Sequence, residues 1–456
     1  MRKEFLDGIC RKLQVLFWIF MICANSLAAP VNYQGLNCYF GVLHSHSVLS
    51  PDFQPQPANY NQFRQLVDSN SEARFQIPNG PYLAYKRAAD AAKIDFLALT
   101  DHVHGPENGQ QEYCNHEMPQ GGYKLIFDSA VRIDNDPQYR GKFLAIPGME
   151  WSTISSGNHV NIFFARNPVP QNVPNGNFRA LFSNYLNNPI LEGTNNLLLV
   201  QMNHPNQESY DKSYGRNGFT AGASGYRQFA DFYKNTYLGI EHINSSANGG
   251  NNNSLEANAH RDGNDLENYY RNYLNMGFRL APIGDHDNHR ANWGRHTAAR
   301  TGVWASQLTA AKFVEAFKLR RVYATEDNEM AVAFLSDGKW MGSEVRVPAA
   351  GQNRSFTVMI TQAADTDTGQ VQNEGPYIVE MFGDEDGIGG AEARRVPFTY
   401  NGGLRSSIQI PQAQTIQFTY RVRPGTYFYL HVREMNDRDA GGIEADAWTA
   451  PIFFTN

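Results

Sequence analysis

Residues 37–46 read NCYFGVLHSH, an apolar run that ends in two histidines, His44 and His46, with one residue between them. The pattern recurs along the chain. IDFLALT (94–100) runs into Asp101 and His102, FLAIPGM (143–149) into Glu150, LLLVQMN (197–203) into His204, YLGI (237–240) into Glu241 and His242, and RLAPIGDH (279–286) into Asp287 and His289, while His159 opens HVNIFFA (159–165). Seven predicted strands thus each carry, at one end, a residue that binds a metal or orients one that does. A barrel of parallel strands delivers the carboxyl ends of its strands to one rim, where side chains distant in sequence meet. The recurrence predicts an α/β fold with a multi-ligand centre on that rim.

Between residues 36 and 327 the apolar runs alternate with helical stretches, as in an α/β barrel or a doubly wound sheet. GPYLAYKRAADAAK (80–93) opens on Gly-Pro and places Leu83, Ala84, Ala88, Ala91 and Ala92 near one face, which predicts a helix. Further helices are expected at 58–70, 122–134, 225–235, 263–276 and 308–320. Long loops at 103–121, 205–223 and 245–262 follow ligand-bearing strands and would shape a pocket over them. KLRRVYATED (318–327) reads as the last helix of this region and its exit.

Beyond about residue 330 the texture changes. FTVMITQ (356–362), YIVEMFG (377–383), IQFTYRVRP (416–424) and TYFYLHVREM (426–435) alternate apolar and polar residues, separated by Gly, Pro and Asp clusters, which predicts a β-sandwich over 328–456. Its one histidine, His431, lies inside a strand pattern and reads as a face residue, so the metal chemistry is assigned to the first region.

The chain of 456 residues is long enough for a sizeable core, and its 18% charged and 41% hydrophobic residues describe a globular protein rather than a disordered one. Arg2, Lys3, Arg11 and Lys12 precede an apolar run from Leu13 to Ala24, followed by small residues at Ser26 and Ala28; residues 1–28 are read as a signal peptide and the protein as exported, periplasmic or secreted. The run is shorter than the roughly 20 apolar residues of a membrane span. Cleavage moves the net charge from −6 to about −8, which argues against a nucleic-acid partner, since that needs a clustered basic face. Cys10 and Cys23 leave with the leader. Cys38 and Cys114 remain, either bridged, as export permits, or as two separate thiols.

A His-x-His pair at a strand end points both imidazoles to one side, because strand side chains repeat every second residue. Asp287-x-His289 repeats that geometry with one hard and one borderline ligand, a mixture that suits zinc, manganese or iron. Glu150 offers two oxygens and can bridge two ions. His102, His159 and His204 add imidazoles. Taken singly, His159 and His242 read as structural, and His104, His116 and His260 as solvated loop residues. Taken jointly, His44, His46, His102, Glu150, His159, His204, Asp287 and His289 are enough to hold two or three divalent ions.

In their order, HSHSVLS, FLALTDH, PGMEWS, NHVNIFF, MNHP and GDHDNHR resemble the motifs of the PHP superfamily, named for polymerase and histidinol phosphatase domains, over roughly residues 37–327. The resemblance is nearest to the exported CehA/McbA-type branch. It implies a distorted (β/α)7 barrel over 29–327, followed by the β-sandwich, and hydrolysis of phosphate esters by two or three zinc, manganese or iron ions. Carried over motif by motif, it implies that His44, His46 and Asp287 hold one ion, that Glu150 bridges it to an ion held by His159 and His204, and that His102 and His289 hold another. An extra ligand after the first motif would fall on Asp52. Asp285 and His286 precede the chosen Asp287-x-His289 pair and are candidates for outer partners.

The chemistry these residues suggest is attack by a metal-activated water, with no protein nucleophile. Arg290 and Arg295 follow the last motif and would bind phosphoryl oxygens, and Asp101 or His286 would protonate the leaving group. A small phosphate mono- or diester is the first substrate reading, and an ester, carbamate or amide the second. A non-catalytic protein that recognises glycans or a surface through residues 328–456 is the third, and the full ligand set argues against it.

Overall fold

The computed structural model describes residues 30–92, 94–103, 118, 121–151, 159–170, 173, 177–186, 198–205, 236, 238–244, 263–295, 297–364, 371, 374–384, 393–437 and 443–456. Cys114, the leader 1–28, the predicted helix at 225–235, His104, His116, His260 and most of the three long loops lie outside the described residues.

The apolar runs become strands: β1 (Leu36–Val42), β2 (Phe96–Leu99), β3 (Leu144–Trp151), β4 (Val160–Phe163), β5 (Leu199–Met202), β6 (Gly239–Asn244) and β7 (Ala281–Asp285), then β8 (Arg300–Ala305) and β9 (Val322–Thr325). Helices form at α1 (Tyr60–Asp68), α2 (Pro81–Arg87), α3 (Gly122–Asn135), α4 (Gly263–Asn275) and α5 (Ala310–Lys318). Three of them start on residues suited to a helix N-terminus. The Asn59 side chain accepts from the backbone of Gln62, Thr309 does the same for Lys312, and Pro81 takes the first helical position, where a missing N–H costs nothing. The 318–327 stretch divides differently from expectation: α5 ends at Lys318 and Val322–Thr325 is a strand rather than helix exit.

The protein is mixed α/β, but the described pairings do not make a regular (β/α)7 barrel. β1, β2 and β3 are parallel neighbours, as are β5, β6 and β7. Between these triplets β4 runs antiparallel to both β3 and β5. The reason is visible in chain length: eight residues separate Trp151 from Val160, too few for the dozen or so that a parallel crossover needs. β8 and β9 are antiparallel additions beside β1, and the segments that follow β1 and β7 meet through an isolated parallel bridge at Ser45 and Asn288. Glycine permits the closest approaches beneath the rim. A Cβ on Gly41 would lie 2.2 Å from the carbonyl oxygen of Phe96, and one on Gly284 the same distance from that of Arg300.

From Met330 onward every described regular element is a strand. β10 (Met330–Ser336), β11 (Gln352–Gln362) and β13 (Thr415–Val422) form most of one antiparallel sheet, while β12 (Tyr377–Gly383), β14 (Tyr427–Asp437), β15 (Ile443–Thr449) and β16 (Ile452–Thr455) belong to a second layer. Phe356 of β11 meets Phe428 and Phe454 of that layer edge-on at 6.5 and 6.2 Å. The second layer is not separate from the α/β region, because β15 pairs antiparallel with β9. No described helix is long and apolar enough to cross a membrane.

Candidate metal centre

Strand register assembles the centre. His102 lies directly beside Glu150 in a short parallel pairing with β3, and Glu150 faces Asn161 of β4 on its other side. The backbones of His44 and His46 are tied to the last motif by Asp287 N–H to the His44 carbonyl at 3.0 Å and His46 N–H to the Asn288 carbonyl at 2.9 Å. Asp287 sits at φ 46°, a left-handed conformation that Asp tolerates better than most residues, within a turn that brings its carboxylate back over β1.

Glu150 is the hub. Its Oε1 lies 2.8 Å from His159 Nδ1, 3.0 Å from Asn203 Nδ2, 3.2 Å from His204 Nε2 and 3.3 Å from His44 Nε2. Its Oε2 lies 2.8 Å from His102 Nδ1 and 3.5 Å from His46 Nε2. Asp287 Oδ1 closes on His46 Nε2 at 3.1 Å and His44 Nε2 at 3.3 Å. Asp52 Oδ2 joins the far side, 3.0 Å from Nε2 of both His102 and His289. Four triads have their donor atoms within 4.8 Å of one another: His44, His46 and Glu150; His44, His204 and Asp287; His102, Glu150 and His159; and His46, His102 and His289. All eight residues expected as metal ligands therefore meet in one cluster. The triads overlap, and His204 falls with His44 and Asp287 as well as beside His159 on Glu150.

The chemistry of this donor set fits cations. His44 Nδ1 is 2.5 Å from Glu241 Oε1, and His289 Nδ1 is 3.0 Å from the carbonyl oxygen of Asp287. A carbonyl oxygen can only accept, so His289 Nδ1 donates, and in both rings the contact through Nδ1 turns Nε2 toward the cluster, the arrangement by which second partners orient metal-binding imidazoles. His46 Nδ1 is likewise held by Ser50 Oγ at 2.8 Å, leaving its Nε2 3.2 Å from that of His44. Burial disfavours positive charge on His44, yet Asp287, Glu150 and Glu241 raise its pKa well above the ordinary value. Burial, with His289 and His102 nearby, pushes His46 the other way, down to about 3. Burial also resists ionisation of Glu150 and Asp287, but the histidines around them hold both carboxyls well below the usual range. The pocket calls for positive charge among fixed lone pairs.

Exposure sets the direction of access. His44, His46 and Glu150 are fully buried, whereas the side chains of His289 and Asp52 are 23% and 52% exposed, so the cluster opens on the side of the Asp52 loop.

The remaining nominated residues fall elsewhere. Asp101 is fully buried and braces the first motif: Oδ1 accepts from the backbone of Ser47 at 2.7 Å and Ser50 at 3.0 Å, and Oδ2 from the Ser47 hydroxyl at 2.9 Å. That placement makes it a positioning residue rather than a proton donor at the cluster. His286 points away, its Nε2 2.9 Å from the Ala299 carbonyl oxygen and 3.2 Å from the Arg300 guanidinium. Asp285 is an outer brace, accepting from the backbones of Leu43 and His44 and from the Gln201 amide. Arg290 is half-buried beside His289, and Arg295 is exposed. His242 alternates away from Glu241, stacks near Tyr270 and Trp448, and has no hydrogen-bond partner for either ring nitrogen among the described residues. His431 stacks on Trp448 within the second layer, as a face residue. Cys38 is a free, buried thiol 3.2 Å from the Tyr323 hydroxyl.

Sequence reasoning placed Glu241 at a ligand-bearing strand end without assigning it a role, and left Asn203, Asn244 and Ser50 unnoticed. Glu241 fixes His44 through one oxygen and, through the other, takes the His204 backbone N–H and the Asn244 amide. The available signal was polar alternation in GIEHIN, where Glu241 and Asn244 interrupt a strand buried at every position.

No family model and no curated protein matches the chain. Among solved structures it is similar, at 13% identity and a TM-score of 0.39 over 93% of this chain and 98% of the other, to a two-domain protein from Bacteroides vulgatus described as containing a predicted PHP-like metal-dependent phosphoesterase. That likeness is too distant to define fold or chemistry, which rest on the side chains described above.

Proposed function

We propose that this chain is an exported, metal-dependent hydrolase of the PHP type that cleaves a small phosphate mono- or diester. One observation carries the reading: a fully buried carboxylate, Glu150, is contacted by five imidazoles, several of them oriented from behind by a second partner. His44, His46, His102, Glu150, His159, His204, Asp287 and His289, with Asp52 added, would hold two or three zinc, manganese or iron ions. When bound, such ions supply Lewis-acid catalysis, make water a nucleophile near neutral pH and neutralise charge that develops on the ester.

The chain's own residues do the rest. Glu150 keeps the ligand sets in register, Glu241 and Ser50 fix imidazole orientation, and Asp101 holds the loop carrying His46 and Ser50. Arg290, half-buried next to His289, is the group proposed to bind phosphoryl oxygens at the open side. The basic, apolar and small-residue order of residues 1–28 supports export. Purified protein assayed with aryl phosphates, phosphodiesters and carboxyl esters, each with added manganese, zinc or iron, tests the reading. Metal-dependent cleavage of a phosphate substrate is expected. Ester or carbamate cleavage with no phosphatase activity under any metal would replace the substrate class, and no hydrolysis by a metal-replete protein would reject the enzyme.

A further inference from the structure

Two buried amides beneath the histidine-rich centre form a chain of hydrogen bonds that ends on its central carboxylate. The chain reads LVQMN through β5 and the residue after it, and a strand's period of two sends Gln201 and Asn203 to one face while Met202 turns into the apolar core. Register puts Gln201 opposite Asn161 and Asn161 opposite Glu150, so Gln201 and the carboxylate stand on the same face two strands apart. Gln201 and Asn203 are fully buried, and the Asn203 backbone is pinned by its N–H to the His159 carbonyl at 3.0 Å.

The hydrogen bonds run in one direction. Asn203 Nδ2 lies 3.0 Å from Glu150 Oε1, and Gln201 Nε2 lies 3.2 Å from Asn203 Oδ1 and 2.8 Å from Asp285 Oδ2. An ionised carboxylate only accepts, so Asn203 turns its NH2 to Glu150 and its carbonyl to Gln201, which answers with its own NH2. The other hydrogen of that group goes to Asp285, whose second oxygen takes the backbone N–H groups of Leu43 at 2.6 Å and His44 at 3.2 Å. Turning either amide over would set oxygens face to face in a buried layer, so the order of the chain is fixed. An amide NH2 keeps its hydrogens at any ordinary pH. Asn203 therefore occupies one of the two lone pairs of Oε1, which leaves that oxygen one for a cation and Oε2 two.

We infer that Gln201 and Asn203 are positioning residues for the metal centre: they relay the backbone of the first motif to Glu150, orient its carboxylate and restrict Oε1 to a single cation. The inference rests on the metal-dependent reading proposed above and adds how the bridging ligand of that centre is held.

The test titrates the full chain, stripped with chelator, with zinc against a chromophoric chelator, and compares Kd among variants that circular dichroism shows to be folded. Asn203→Leu should weaken binding of at least one zinc ion about 10–100-fold, the usual cost of removing an outer partner of a metal ligand. Gln201→Leu should weaken the same step. The two substitutions together should weaken it no more than Asn203→Leu alone, since a relay broken at its last link has nothing further to lose. Asn161→Leu is the control: it removes an amide of the same buried layer that donates to the Leu43 carbonyl at 3.3 Å, and it should bind zinc as the wild type does. Additive losses, wild-type affinity in Asn203→Leu, or an equal loss in Asn161→Leu overturns the relay. Should the leucine variants not fold, a crystal of the zinc-loaded wild-type chain decides. Asn203 Nδ2 within hydrogen-bond distance of a Glu150 oxygen that holds one ion supports the relay; that oxygen shared by two ions, or Asn203 turned away, refutes it. Turnover enters none of these readouts, so a chain that binds zinc through the relay but hydrolyses nothing rejects the hydrolase and leaves this inference standing, whereas a chain that binds no zinc rejects both.

Discussion

Glu150→Gln is the sharpest perturbation of the histidine-rich centre, because the substitution keeps shape and removes only the charge. The carboxylate makes two 2.8 Å contacts, one on each oxygen, with His159 Nδ1 and His102 Nδ1, and longer ones with His44, His46 and His204. A hydrogen bond to a charged group contributes about 1.5–3 kcal/mol, so losing the equivalent of two amounts to about 3–6 kcal/mol. At 1.36 kcal/mol per tenfold, turnover should fall by about 10²–10⁴. The backbone around Glu150 pairs on both sides of β3 and does not depend on the charge, so the variant should remain folded. The assay is hydrolysis of an aryl phosphate or phosphodiester, with elemental analysis and circular dichroism on the same sample to separate lost metal from lost fold. A metal-replete, folded variant with near-wild-type turnover would refute the bridging role.

Gently purified wild-type protein should carry two or three transition-metal ions per chain, and Asp52→Asn, which weakens the grip shared by His102 and His289, should carry one fewer; elemental analysis gives both numbers. Asp101→Ala leaves two buried N–H groups and a hydroxyl without their acceptor and should cost about 3 kcal/mol or more of stability by denaturant melting, while Asp101→Asn should cost less; equal losses would contradict the bracing role. Arg290→Ala should reduce kcat/KM for phosphate esters more than for neutral carboxyl esters, if both are turned over, and equal losses would remove Arg290 from phosphate recognition. N-terminal sequencing of the exported protein should begin near Ala29, and a soluble cytoplasmic product that retains Met1 would contradict export.

The eight members of the cluster were legible in the sequence because each occupies the end of an apolar run, and such runs have few ways to end in a packed sheet. Apolar alternation likewise located the strands after Met330, and capping residues such as Asn59 and Thr309 marked helix starts, since these depend on neighbours within a few residues. The strand directions around β4 were only implicit, in the eight residues between Trp151 and Val160, and the pairing of β9 with β15 joins residues more than a hundred positions apart. Only the tertiary structure turned Asp101 and His286 outward from chemistry into bracing, and brought Glu241 behind His44 and Asp52 across His102 and His289. Local pattern fixes which face of a strand is buried, but a ligand's partner is chosen by register and by how sheets meet, and those are decided by long-range packing.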